Sequence, residues 1–294
     1  MKLSCQEGII PGRDLNERLD NLAKYGFEAI EFRGSDLFGR VEEILKATSG
    51  HQIKPSSIST GYRGCLLSDG KSEREIAMSD IKQLLLIAKE IGALGLVTVP
   101  ILWKPQINDL SPYKSRRQLE EELLVVLLKE LSDYAKELST FIFLEPLNRY
   151  ETYLINTLQQ AVDICKRVQS PNVRILADFF HMNIEERDIS ASIRAAGEYI
   201  YHVHLADSNR LLPGFGHTDL HAGFEALKSI GYKNYMAFEA GFPGEIREYL
   251  TSPERLINVK YRKLSQRPGN PEAALSCSVQ YIKNLLIDTV KRET

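Results

Sequence analysis

Apolar and polar positions along this chain follow two rhythms in turn. Short β-rich runs recur, each followed by a longer stretch whose apolar residues return every three or four positions, which is the sequence signal for parallel βαβ units. Eight runs fit a strand: Lys2–Ile9, Ala29–Gly34, Ile53–Thr60, Leu94–Ile101, Thr140–Leu147, Val173–Phe180, Ile200–Asp207 and Asn234–Ala240. The third, IKPSSIST, carries the weakest pattern because it is polar and Ser-rich. From Leu119 to Leu138 apolar residues fall at 119, 123, 124, 126, 127, 131, 134, 135 and 138, a broad stripe suited to a helix lying against a sheet. Helix starts are marked by Ser72 with Glu75, Ser115 with Gln118 and Thr157 with Gln160, each matching a capping box, and helix stops by Gly26, Gly50, Gly92 and Gly231.

Eight strand and helix pairs predict a closed parallel barrel, the (β/α)8 TIM barrel of the α/β class. An open doubly wound sheet uses fewer strands and a Gly-rich phosphate loop after the first, and GIIPGRD is not G-x-G-x-x-G. A length of 294 residues suits one such domain spanning 1–294. The stretch 243–268, between strand eight and the last helix, breaks the rhythm and reads as a local insertion near the barrel mouth.

Composition narrows the function classes. With 43% hydrophobic and 26% charged residues the chain is an ordinary globular protein. Its 37 basic residues against 39 acidic ones, net charge -2, leave no basic footprint for a phosphate backbone, so no nucleic-acid partner is expected. The cysteines at 5, 65, 165 and 277 are scattered without a CxxC spacing, as expected of reduced thiols. No apolar stretch approaches the roughly 20 residues that span a bilayer, and the N-terminus lacks a signal-peptide core. The expected location is the cytoplasm, with no membrane partner.

In a TIM barrel, chemistry gathers at the carboxyl ends of the strands. Four ionisable residues stand there on consecutive strands, five to eight: Glu145 in TFIFLEPL, Asp178 in VRILADFF, His204 after IYHV and Glu239 after NYMAF. Three carboxylates converging on one point would repel and lose hydration unless a cation sat between them. Three carboxylates and an imidazole, with no thiolate, suit one hard or borderline divalent ion, Mn²⁺ first, with Mg²⁺ or Co²⁺ as alternatives. Glu31, Tyr62 and Trp103, near the ends of strands two, three and four, are further candidates for the wall of a substrate pocket, which needs hydrogen-bond acceptors and an apolar side. His202, two residues before His204, should point into the same bore one layer deeper, as a satisfied interior histidine.

The segments LEPLNRYETYLINT (144–157), DFFHMNIEE (178–186), HVHLADSNRLLPG (202–214) and FEA (238–240) resemble, in order, the metal-dependent ketose 3-epimerases of the tagatose and allulose type, within the xylose-isomerase-like barrels. The resemblance covers roughly half of the chain. It implies a sugar isomerase whose metal is held by Glu145, Asp178, His204 and Glu239. Glu145 and Glu239 then act as acid and base in turn from opposite faces of the sugar, inverting the carbon beside its carbonyl. It also assigns Glu151, His181 and Arg210 to the sugar's oxygens, with a small-molecule sugar as the partner and homo-oligomerisation left open. Hydroxypyruvate isomerases, inosose dehydratases and phosphosugar epimerases share a similar metal set and remain alternatives. So does a sugar- or metal-binding protein without catalysis.

Overall fold

The computed structural model describes residues 1–241 and 271–291. Eight strands close into one parallel barrel in chain order. They are β1 (Lys2–Gln6), β2 (Ala29–Arg33), β3 (Lys54–Ser59), β4 (Gly95–Thr98), β5 (Phe141–Leu144), β6 (Val173–Asp178), β7 (Ile200–Leu205) and β8 (Tyr235–Phe238). β8 returns to pair with β1, leaving no sheet edge. Helices α1 (Leu15–Tyr25), α2 (Val41–Thr48), α3 (Lys71–Ile91), α4 (Arg116–Leu138), α5 (Leu158–Val168), α6 (Phe179–Glu185), α7 (Ile189–Ala196), α8 (Leu220–Ser229) and α9 (Pro271–Lys291) lie in the connections and after β8. This is the predicted barrel. Each strand ends short of its expected C-terminal bound, and the residues beyond it build the mouth. The expected insertion at 243–268 lies outside the described residues.

Two faces of each strand do different work. One face packs on the helices in a large apolar layer containing Leu3, Phe32, Ile58, Leu96, Leu144, Ile175, Leu205 and Phe238. The alternate face turns into the bore, where Val97, Phe143 and Leu176 form a separate apolar plug. Two residues further along the same strands, that face reaches Glu145 and Asp178. The apolar plug thus carries ionisable groups at its upper surface.

β3 is buried from Pro55 to Ser59 despite its polarity. Its serines are satisfied inside the bore: Ser56 Oγ lies 2.7 Å from Ser4 Oγ, and Ser57 Oγ donates to Glu31 at 2.6 Å. Capping boxes form at Ser115 and Thr157 as expected. The one expected at Ser72 does not form, because α3 starts two residues earlier, at Lys71, with Gly70 at its cap and no side-chain capping bond. Gly26 and Gly92 are left-handed caps, whereas Gly50 and Gly231 sit one residue past the caps at Ser49 and Ile230. The stripe on α4 is narrower than its apolar positions suggest: Leu124, Leu128, Leu131 and Ala135 are buried, while Val126 faces outward.

Candidate metal centre and active-site cleft

Glu145 and Glu239 follow β5 and β8, Asp178 ends β6, and His204 is the next-to-last residue of β7. They bring one ligand-capable atom apiece to within 4.8 Å of the others. Each is held differently. Asp178 caps α6, its Oδ1 accepting from Phe180 N at 2.7 Å, which leaves Oδ2 facing inward. His204 Nε2 lies 2.9 Å from Glu31 Oε1. An ionised carboxylate only accepts, so Nε2 carries the hydrogen and Nδ1 is turned toward the cluster. Nδ1 is buried and makes no hydrogen bond, with Glu239 Oε2 2.9 Å away. Glu145 has no donor in reach among the described residues: the nearest, His181 Nε2 and His204 Nδ1, are each 3.9 Å from its Oε1.

Charge follows from these surroundings. Burial, reinforced by Glu239 and Asp178, raises the Glu145 carboxyl well above its ordinary range. Burial also opposes ionisation of Glu239, but Arg210 and His204 outweigh it and hold that carboxyl below its usual value. His204 is raised despite its burial, by Glu31 and Glu239 on its two sides. A buried, donorless carboxylate beside an unpartnered imidazole nitrogen and two further carboxylates is a donor set that a divalent cation would satisfy. The residues fit a metal ion.

Arg210 enters from the β7 connection with its backbone in the left-handed region, φ 62°. Its guanidinium donates to Asp178 Oδ2 at 2.6 Å and to Glu239 Oε2 at 2.5 Å, and lies 4.8 Å over the Phe180 ring. It pairs with the cluster rather than with Asp207. The Asp207 carboxylate instead accepts from Ser208 N (2.7 Å), Gly214 N (2.9 Å) and Thr218 N (2.9 Å) and folds the loop round itself. Gly216 is required there, since a Cβ would stand 2.3 Å from Asp207 Oδ1.

His181 Nδ1 accepts from Asn148 N at 3.1 Å and faces Asn148 Nδ2 at 2.8 Å, so its hydrogen sits on Nε2, pointing at the cluster. Burial lowers its basicity and keeps it neutral. Asn148 Nδ2 also donates to Glu151 Oε1 at 3.0 Å, so one buried amide orients two groups of the cleft. That cleft holds about 390 Å3, and Tyr62, Trp103, Glu145, Glu151, His181, Arg210 and Glu239 are among its walls. Its size suits a small polar ligand. Trp103 N donates to Glu151 O at 2.7 Å, which ties the β4 and β5 loops together at the rim. Tyr62 donates its hydroxyl to Val99 O.

Glu31 is placed differently from the expectation of a pocket residue. It lies in mid-strand, wholly buried beneath the cluster, and accepts from Gln6, Ser57, His202 and His204. A side chain in that layer of the bore cannot reach the mouth. His202 is the interior histidine expected, 2.7 Å from Glu31 Oε2 and stacked on Phe143. Sequence reasoning gave no role to Gln6, Ser57 or Asn148. Asn148 lies inside the LEPLNRYE segment that carried the resemblance; Gln6 and Ser57 had no signal beyond facing the bore.

A family model described as a xylose isomerase-like TIM barrel matches residues 19–257. The chain belongs to the xylose isomerase-like TIM barrels. Within them, this barrel is 31% identical over 247 residues to the 3-dehydro-D-guloside 4-epimerase of Escherichia coli, covering 83% of this chain and 94% of that protein. It is 38% identical over 238 residues to an L-ribulose 3-epimerase of Mesorhizobium japonicum, covering 79% and 77%. Among solved structures, apo 3-keto-D-glucoside 4-epimerase from E. coli superposes with TM-score 0.80 at 25% identity over 97% of this chain and 99% of that one. D-psicose 3-epimerase with D-tagatose from Clostridium cellulolyticum H10 gives the same TM-score, 0.80, with 25% identity and coverage of 97% and 99%. By this kinship the xylose isomerase-like barrel described here is a sugar epimerase, an enzyme of the isomerase class.

Proposed function

We propose that this barrel is a divalent-metal-dependent epimerase that inverts C3 of a free ketose by removing and returning the proton beside its carbonyl. The observation that carries the reading is the placement of Glu145 and Glu239: both line the cleft, and with Asp178 and His204 they bring ligand-capable atoms within 4.8 Å of one another. Without a metal their surroundings shift them in opposite directions, Glu145 up and Glu239 down. Two carboxylates so placed can take a proton from a C–H and return one. Glu145, Asp178, His204 and Glu239 would hold the ion, Mn²⁺ first. When bound, it would draw charge from the carbonyl and acidify the neighbouring C–H.

The chain's own residues do the rest. One of Glu145 and Glu239 takes the proton from one face of the sugar, and the other returns one to the opposite face. His181 presents Nε2–H to a carbonyl or hydroxyl oxygen, and Glu151 accepts from a hydroxyl. Arg210 stabilises negative charge on the substrate's oxygens. Trp103 and Tyr62 wall the sugar's apolar faces, while Glu31 supports His204 from below.

A phosphorylated sugar is disfavoured. Barrels that bind phosphate use backbone donors of the loops after strands seven and eight. Here three such amides of the β7 loop are already spent on Asp207. A second reading, inversion of C4 in a 3-keto-glycoside, uses the same proton chemistry. It is favoured by the near-complete coverage of the E. coli 4-epimerase and by the open rim at Leu102 and Trp103.

The test is to strip the protein of metal and reload it with Mn²⁺. It is then incubated with fructose, tagatose, ribulose, xylulose and 3-keto-glucose glycosides, and the products are separated chromatographically. Metal-dependent appearance of C3 epimers of the ketoses supports the first reading. Conversion of the keto-glycosides alone moves the assignment to C4, and no conversion of any sugar contradicts both.

A further inference from the structure

We infer that Gln6 is a positioning residue for Glu239: its side-chain amide clamps one oxygen of that carboxylate to the buried Glu31, so that the other faces His204 and the cleft. This rests on the proton-transfer role proposed for Glu239. β1 lies between β8 and β2, and the register sets Cys5 beside Phe238 and Gln6 beside Glu31. Gln6, Glu31 and Glu239 therefore meet across three neighbouring strands. Gln6 Nε2 lies 3.0 Å from Glu31 Oε1 and 3.0 Å from Glu239 Oε1.

An amide nitrogen carries two hydrogens and can serve both carboxylates at once; a hydroxyl has one to give. Of the two anchors, Glu31 is the fixed one. It is wholly buried and also takes hydrogen bonds from Ser57, His202 and His204. Glu239 is the exposed end of the bridge, its side chain retaining 26% of its accessibility. With Oε1 held from behind, Oε2 is the oxygen at 2.9 Å from His204 Nδ1 and 2.5 Å from Arg210. Without the clamp nothing on the β1 side would oppose rotation of the carboxylate toward Arg210, and the proton-accepting oxygen would lose its aim. Gln6 itself is not among the walls of the cleft, so it acts on the sugar only through Glu239.

The experiment compares wild type with Gln6→Met, which keeps the length of the side chain and removes both hydrogens. Bound Mn²⁺ is read by electron paramagnetic resonance and by titration calorimetry, and kcat and KM are measured on whichever sugar the wild type converts. The clamp predicts an altered Mn²⁺ spectrum and a kcat lower by about 10–100-fold, with KM within about threefold of wild type. An unchanged spectrum with kcat within about twofold of wild type would overturn it, as would a loss confined to KM, which would make Gln6 a substrate contact. Should Gln6→Met fail to fold, Gln6→Leu also removes both hydrogens without adding charge, and the same readings apply. The spectrum needs no turnover. A wild type that binds Mn²⁺ but converts no sugar fails the functional reading alone, and the two spectra still decide the clamp; a wild type that binds no Mn²⁺ overturns both.

Discussion

Glu145 and Glu239 are the same residue type within one cluster, yet their surroundings treat them in opposite ways. Glu145 has burial and two carboxylates against its charge, while Glu239 has Arg210 and His204 in its favour. Replacing each with the neutral isostere Gln should therefore separate stability from catalysis. In the metal-free protein Glu145→Gln removes a repelled group and should melt at or above the wild-type temperature. Glu239→Gln takes a half-buried partner from Arg210, which keeps Asp178, and should melt lower. Both should lose about 10²–10⁴-fold in kcat. Melting curves and turnover on the same preparations check this. The reverse order of melting, or near-normal turnover in either variant, would count against the assigned roles.

Among the elements, helix starts give the cleanest link between sequence and stability. At Thr157 the hydroxyl accepts from Gln160 N while the Gln160 side chain reaches back to the cap, which fixes the start of α5 directly after the segment that carries Asn148 and Glu151. Thr157→Ala should cost about 1 kcal/mol, read by chemical denaturation, with a smaller effect on Mn²⁺ affinity than any ligand substitution. Affinity collapsing with the cap would mean that α5 positions the cluster directly.

These starts were legible because a capping box is local. Ser72 shows the limit of that logic: its pattern with Glu75 is present, but the turn at Gly70 begins the helix two residues sooner. The same limit applies to the strands. Glu145, Asp178, His204 and Glu239 were legible as charges at the ends of apolar runs, a contrast the sequence displays. Gln6, Ser57 and the true depth of Glu31 were not, because their meaning depends on which strands become neighbours when β8 closes on β1. A polar strand such as β3 looks weak in isolation and becomes stable only when its serines find Ser4, Glu31 and His202 across the bore.

For the whole molecule, the cluster couples stability to pH and to metal. Glu145 and His204 both have folded-state pKa values raised above their ordinary 4.5 and 6.5. Each contributes stability that is fully present below its ordinary pKa and is lost as pH rises through the folded one. Glu239 and Glu31 are shifted the other way, and what they contribute is lost only as pH falls below the ordinary 4.5. Above about pH 6.5 the first pair sets the trend, so the metal-free barrel should lose stability toward alkaline pH. A metal ion competes with protons for the same atoms, so its stabilisation should grow over that range. Melting temperatures with Mn²⁺ and with chelator at pH 6 and pH 8.5 check this. A metal-induced increase that is larger at pH 6 would contradict it. Among the described residues no helix is long and apolar enough to cross a membrane.

Proton transfer beside a ketose carbonyl by two glutamates at a metal leaves its mark in isotope position. The Mn²⁺-loaded protein, and the same protein after chelation, would be incubated with each ketose in D₂O and the sugar followed by NMR. Deuterium is expected at C3 with metal and none after chelation. Deuterium at C1 would instead mean aldose–ketose isomerisation, and epimer formed without any solvent label, or labelling that survives chelation, would contradict proton transfer by two glutamates at a metal.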